Sequence, residues 1–205
     1  MAMVKNIFGA VFGRSKLDHA FRLDDHPRLL HISDTPSQFY PELKRIINVL
    51  EPDYIIHTGD LADNIKIGLY RSSFHRYKHE VRIILKILQD SKAKKIVLSL
   101  GNHDDYDFVR KHSGRLLVFD GWGKMEFEGI DIAFSHYYSD LKDLTADLRL
   151  YGHDLDSTDD DRNKEKDLNG IASMSLIDLV TLDVKKIEYP FGTNNSRLNR
   201  NKLGI

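Results

Sequence analysis

Short apolar runs that end in Asp, Asn or His recur along this 205-residue chain. Leu29-Leu30-His31-Ile32 leads into Ser33-Asp34-Thr35-Pro36, and Tyr54-Ile55-Ile56-His57 leads into Thr58-Gly59-Asp60. Ile96-Val97-Leu98-Ser99-Leu100 leads into Gly101-Asn102-His103-Asp104. Each predicts a buried strand opening into a polar loop. The segments between them carry helical periodicity. Leu43, Ile46, Ile47 and Leu50 share one face of a helix over 37–50, where Pro41 is tolerated in the first turn and Glu51-Pro52-Asp53 ends it. Val81, Ile84, Ile87 and Leu88 mark a second helix ending near residues 89–91. Strand, helix and strand joined by crossovers of this length predict parallel pairing with right-handed connections. Asp34 and Asp60 then emerge from the same edge of one sheet, and Asn102 lies at the C-terminal end of a strand, where open α/β sheets place their chemistry.

From residue 116 the pattern changes to consecutive short strands, 116–119, 124–127 and 130–134, with Gly-containing connections that predict hairpins or a meander. Ser139 is a plausible cap for a short helix over 139–146. Two further runs end in histidine: Asp131-Ile132-Ala133-Phe134-Ser135-His136 and Leu148-Arg149-Leu150-Tyr151-Gly152-His153. Residues 156–167 predict a charged loop, and 171–175, 176–182 and 186–189 predict strands that complete a sheet. The fold class is therefore α/β, with one sheet begun by βα units, a second built of hairpins, and helices on the outer faces. The predicted organisation is an N-terminal arm over 1–27, a domain over 28–190 and a frayed polar tail over 191–205. In the arm, Met3, Ile7 and Val11, and Val4, Phe8 and Phe12, recur at helical spacing and predict a short amphipathic helix, docked on the domain or, alternatively, serving as a membrane-surface or partner-binding arm.

Composition narrows the function classes. Apolar residues at 41% and charged residues at 30% describe a globular chain, not a disordered one. A net charge of −1 gives no overall pull toward nucleic acid or anionic lipid, so nucleic acid is a conceivable partner that nothing indicates. No apolar run approaches the roughly 20 residues of a membrane span. The absence of cysteine excludes disulfides, thiolate metal sites and thiol nucleophiles, and suits a cytoplasmic location.

Hard carboxylates and an amide oxygen combined with imidazoles, all at strand ends, describe a mixed oxygen and nitrogen site for a divalent metal. In order the set is Asp34, Asp60, Asn102 with His103, His136 and His153. His31 and His57 sit on apolar strands and read as satisfied core residues. Asp63 reads as support for the loop after Asp60. The basic run at 71–82 reads first as a solvated helix face; alternatively Arg71 and His75, four residues apart, share a helix face and grip a phosphate. The motif order Asp-x-x, Gly-Asp, Gly-Asn-His-Asp, a lone His, then Gly-His resembles the calcineurin-like metallophosphoesterase family over roughly residues 28–190.

That resemblance implies a four-layer α/β/β/α sandwich of two mixed β-sheets flanked by helices. It implies a metal-dependent phosphoesterase, a phosphodiesterase acting on a small phosphate ester by metal-activated water. It assigns one ion to Asp60, Asn102, His136 and His153, and a second to Asp34, the bridging Asp60 and two histidines. Pro36 and Leu155 stand where those two histidines are expected, and neither side chain can bind a metal. One tight ion and a weaker second one are therefore expected, drawn from Mn, Mg, Fe or Zn, with Asp154 or Asp156 as candidate replacement ligands. By the same resemblance His103 is the general acid and Asp104 orients it. The competing implication of Pro36 and Leu155 is a non-catalytic or weakly active binding scaffold on the same fold.

Overall fold

The computed structural model describes Ser15, Leu17 and residues 25–67, 71–153 and 166–197, with the side chain of Arg71 excepted. The amphipathic helix expected in the arm, and Leu155, Asp154 and Asp156, lie outside the described residues.

Four parallel strands build the first sheet: β1 (Arg28–Ile32), β2 (Tyr54–His57), β3 (Lys95–Ser99) and β4 (Leu117–Phe119). They are joined by helices α1 (Tyr40–Leu50), α2 (Phe74–Gln89) and α3 (Tyr106–His112). β9 (Met174–Asp178) returns antiparallel to β1, and β10 (Val184–Ile187) pairs antiparallel with β9. The second sheet has the order β5 (Gly123–Phe127), β6 (Ile130–Phe134), β7 (Leu148–Tyr151) and β8 (Asp167–Asn169). Its first pair is antiparallel and the other two are parallel.

Alternation along β1–β3 decides how the layers stack. Leu30, Ile32, Ile55, Ile96 and Leu98 face the helices, where they meet Leu43, Ile46, Tyr77, Val81, Ile84 and Val109. Leu29, Ile56 and Val97 point the other way, into Phe127, Ile132, Phe134, Leu148 and Leu150 of the second sheet. Strands buried on both faces read as continuous apolar runs, which is the pattern of these three. Each aliphatic side chain so buried contributes about 1.5–3 kcal/mol. The outer face of the second sheet, Ala133 and Tyr151, is covered by Leu141 with Tyr138 and Leu144. That cover is a 3₁₀ turn, Tyr138–Asp140, continued by turns, rather than the regular helix predicted at 139–146.

Other boundaries also move. β4 joins the first sheet, so residues 120–122 carry the chain between sheets and do not form a hairpin. The hairpin is at Glu128-Gly129, whose φ values of 51° and 83° suit a tight turn matched to strand twist. Asp167, assigned to the charged loop by pattern, is buried in β8, where Arg149 Nε donates to it at 2.5 Å and the Tyr138 hydroxyl donates at 3.1 Å. Residues 193–197 form helix α4 instead of fraying. Its Arg197 is 2% exposed, donates to the carbonyls of Ile171 and Asp34 at 2.6 and 3.3 Å, and stacks on Tyr189.

Candidate metal centre

Five strands point their C-terminal ends at one place. β1, β2 and β3 lie side by side in the first sheet and release Asp34, Asp60 and the 101–104 loop. β6 and β7 lie side by side in the second and release His136 and His153. Three of these residues carry left-handed backbone: Asp34 at φ 49°, Asp60 at φ 55° and His153 at φ 67°. Non-glycine residues rarely adopt that conformation, and such strain concentrates at functional sites. Two glycines permit the close approach. A Cβ on Gly152 would overlap the Ser33 hydroxyl, and one on Gly101 would overlap the Asp60 carboxylate.

The ring of His136 is fully buried and its Nδ1 lies 2.7 Å from the carbonyl of Thr58. A carbonyl only accepts, so Nδ1 carries the proton and the lone pair of Nε2 is aimed inward. That Nε2 sits 3.1 Å from Nδ1 of His153, 3.2 Å from Oδ1 of Asn102 and 3.7 Å from Oδ2 of Asp60. Donors bound at about 2.1 Å to one ion stand about 3.0–3.4 Å apart. Ligand atoms of Asp34, Asp60 and His136 lie within 4.8 Å of one another. The sequence-predicted ligands Asp34, Asp60, Asn102, His136 and His153 are thus brought together, and their donor set fits a divalent cation.

Electrostatics agree with that fit. Burial, then the charges of Asp34, Asp104 and Asp63, push the Asp60 carboxyl well above its ordinary range. Burial and Asp34 push Asp63 up as well. Such a crowd of buried carboxylates is relieved by a bound cation.

The loops are held by groups around the ligands. Asp104 accepts from the amides of Asp60, Leu61 and Gly101 at 2.8–3.0 Å and from the Tyr77 hydroxyl at 3.3 Å. It therefore ties the β2 and β3 loops together, and among the described residues its hydrogen bonds run to these groups and not to His103. His103 is half-buried; its amide donates to Asp60 at 3.0 Å, and its Nδ1 is buried without a partner. Burial, then the charge of Lys66, lowers its pKa to about 4. His57 behaves as a satisfied core residue. Thr35 Oγ1 donates to the Leu61 carbonyl at 2.9 Å, so it accepts from Nε2 of His57 at 3.0 Å, while Nδ1 accepts from the Gly59 amide at 3.2 Å. Burial lowers the His57 pKa to about 3. His31 is only half satisfied: Nε2 meets Thr58 Oγ1 at 3.0 Å, but among the described residues its buried Nδ1 has no partner. His75 is exposed on α2, and among the described residues no hydrogen bond or ion pair links it to the ligands.

Several contributors escaped sequence reasoning. Ser33 donates to Asp34 at 2.5 Å, the His153 amide donates to the same oxygen at 3.1 Å, and Tyr137 packs its ring edgewise on both His136 and His153. Only the position of Tyr137, directly after the lone His, hints at it in sequence.

The family model for calcineurin-like phosphoesterases matches residues 27–180. The chain belongs to that family. Solved structures to which the chain is similar include AQ665 from Aquifex aeolicus, a protein of unknown function, at 19% identity over 70% of this chain and 89% of that one, with a TM-score of 0.41. YfcE, a phosphoesterase from E. coli, is 12% identical over 80% of this chain and 99% of its own, with a TM-score of 0.49. A further solved chain, 11% identical over 80% of this chain and 99% of its own, superposes with a TM-score of 0.51 and shares the fold. No curated protein sequence matches the chain. As a calcineurin-like phosphoesterase it is a metal-dependent hydrolase by family, and among its described residues no helix is long and apolar enough to cross a membrane.

Proposed function

We propose that this family member hydrolyses phosphodiesters, with one divalent ion, manganese or a similar hard-to-borderline metal, held by Asp60, Asn102, His136 and His153. The observation that carries the reading is the meeting of His136 Nε2 with His153 Nδ1 and Asn102 Oδ1 at 3.1–3.2 Å, with the His136 tautomer set by Thr58. A divalent ion bound there supplies Lewis acidity toward a phosphoryl oxygen and makes water a nucleophile near neutral pH. His103 lies next to Asn102 with a half-buried ring whose Nε2, not the buried Nδ1, can hydrogen-bond a phosphoryl oxygen or the leaving oxygen.

The test is metal analysis of purified protein together with hydrolysis of an aryl phosphodiester and the matching monoester in Mn²⁺. Turnover of the diester, abolished by chelation and by His136→Ala, is the expected result. One observation favours the scaffold reading instead: Pro36 is buried at the end of β1 and gives the carboxylate side no imidazole. Tightly bound metal without turnover of either ester would support that alternative.

A further inference from the structure

Helix α2 is bonded to the loop that carries Asn102. The Tyr77 hydroxyl donates to Asp104 at 3.3 Å and accepts from the Asp105 amide at 2.8 Å. Asp105 in turn caps α3 by accepting from the Phe108 amide at 2.8 Å. Both helices are thus anchored beside the metal centre, where Asn102 is exposed. Their far ends also meet, since Gln89 Nε2 donates to the His112 carbonyl at 2.8 Å.

Three cations line the seam between them. Phe74, Lys78 and Arg82 recur at four-residue spacing and share the face of α2 toward α3. Lys78 Nζ stands 4.2 Å from the centre of the Phe74 ring and 5.5 Å from that of Phe108, and the Arg82 guanidinium lies 4.9 Å from the Phe108 ring. On α3 the Arg110 guanidinium lies 5.7 Å from the Tyr106 ring and bonds its hydroxyl. Among the described residues none of these three cations pairs with a carboxylate. Glu80, two positions beyond Lys78, is turned about 200° around α2. Asp107 lies in the first turn of α3, where it faces the positive end of that helix.

A run of like charge on a helix is usually no more than a solvated face. This seam differs because its charges rest on aromatic rings and not on acids. Cation–π contact restrains the side chains, so less rotamer freedom is lost when an anion binds. Arg82 and Arg110 are exposed and Lys78 is half-buried, which leaves the charges facing solvent. The exposed apolar residue of α2, Ile83, lies off the seam, about 100° around the helix from Arg82, so a lipid surface finds nothing there to bury.

We propose that the α2–α3 seam is a docking track for a single-stranded polynucleotide. The inference rests on the phosphodiester reading above for the fate of the strand, and it names the substrate class. A polynucleotide is a chain of phosphodiesters, so one can enter the metal centre while its neighbours meet Lys78, Arg82 and Arg110. Aromatic rings beside cations are the combination that tracks single strands, and Phe74 and Tyr106 are half-buried there. Helices packed about 8–10 Å apart present a strip one strand wide.

The test is fluorescence anisotropy of a labelled oligothymidylate of about 15 nucleotides, titrated across salt in EDTA so that the strand stays uncut. With three phosphates neutralised, log affinity should fall against log salt with a slope of about −2. Lys78→Gln, Arg82→Gln and Arg110→Gln should each weaken binding about threefold or more at low salt and make the slope shallower by about 0.7. Arg82→Lys, which keeps the charge, should keep the wild-type slope. Neutral variants that bind like wild type would overturn the inference, as would a DNA duplex or phosphatidylserine vesicles bound more tightly than the single strand. A wild type that cleaves the aryl diester yet ignores the oligonucleotide would overturn it and leave the phosphodiester reading in place. A strand bound as expected, without turnover of the aryl diester, would keep the docking track and remove that reading.

Discussion

At the scale of single residues, chemistry and support divide between neighbours in one tetrapeptide. Asn102 turns its oxygen to His136, whereas Asp104 spends both oxygens on backbone amides. His103 lies between them with its ring half-buried. His103→Ala should slow turnover of diesters with poor leaving groups by about 10²–10⁴, the usual range for a lost proton-transfer group. Activated aryl esters should suffer less, and metal content by atomic emission should stay the same. Loss of the ion in that variant would make His103 a ligand. Asp104→Asn places an amide NH₂ group among three backbone N–H donors. It should cost about 1–3 kcal/mol in chemical denaturation, the penalty for buried polar groups left unpaired. A variant as stable as wild type would show that the two loops hold their places without the clamp.

Elements come next. Helix α4 is short, but it sets the turn after β1 from outside. Arg197 occupies the carbonyls of Ile171 and Asp34 and lies 4.2 Å above the Tyr189 ring, whose hydroxyl donates to the Gly170 carbonyl at 2.7 Å and lies 3.0 Å from that of Ser33. Residues 170–171, 189 and 197 therefore brace the backbone of Ser33 and Asp34. Replacing Arg197 by Met leaves two carbonyls without their donor and should destabilise the protein by about 2–4 kcal/mol. Urea unfolding measures this directly, and an unchanged midpoint would mean that α4 does not hold the Asp34 turn. The same variant should weaken metal binding, because Asp34 sits at φ 49° only while its surroundings impose it.

For the molecule as a whole, charge couples the centre and the termini to stability. The buried acids of the centre repel one another in the metal-free protein, and a ligand that binds only the folded state adds RT ln(1 + [L]/Kd). Saturating Mn²⁺ at a hundredfold above Kd should therefore stabilise by about 2.7 kcal/mol, read as a rise in Tm that EDTA reverses. No shift would argue against a native metal centre. Far from it, His26 Nδ1 meets Asp178 Oδ2 at 2.8 Å, joining the entry to β1 with the end of β9. Burial alone would raise the Asp178 carboxyl, but the Thr181 amide, His26 and the Val180 amide together hold it down to about 2. A carboxylate whose folded pKa lies below its unfolded value near 3.8 adds stability above that value and loses it as pH falls through the folded pKa. Stability should thus drop between about pH 4 and pH 2, and Asp178→Asn should flatten that part of the profile. An unaltered profile in the variant would assign the acid limb to other groups.

How much of this was written in the chain depends on how far apart the interacting residues lie. The strands that carry Asp34, Asp60, Asn102, His136 and His153 were legible because an apolar run followed by a polar cluster is a local pattern, and parallel βα units send such runs to one edge. The α/β class followed from the same runs, and the four-layer sandwich from the family resemblance. The sheet that β4 joins did not, since a short apolar strand pairs equally well with either neighbour until the core is assembled. Residues 171–182 read as more strand than they form, because β-branched and aliphatic residues around a turn look like strand in one dimension. Composition pointed to a frayed tail at 193–197, yet Arg197 reaches Asp34 across 163 positions. The Asp104 clamp was equally invisible. Periodicity records which side chains leave water; which donor meets which acceptor is decided only when distant segments pack and every buried polar group must find a partner.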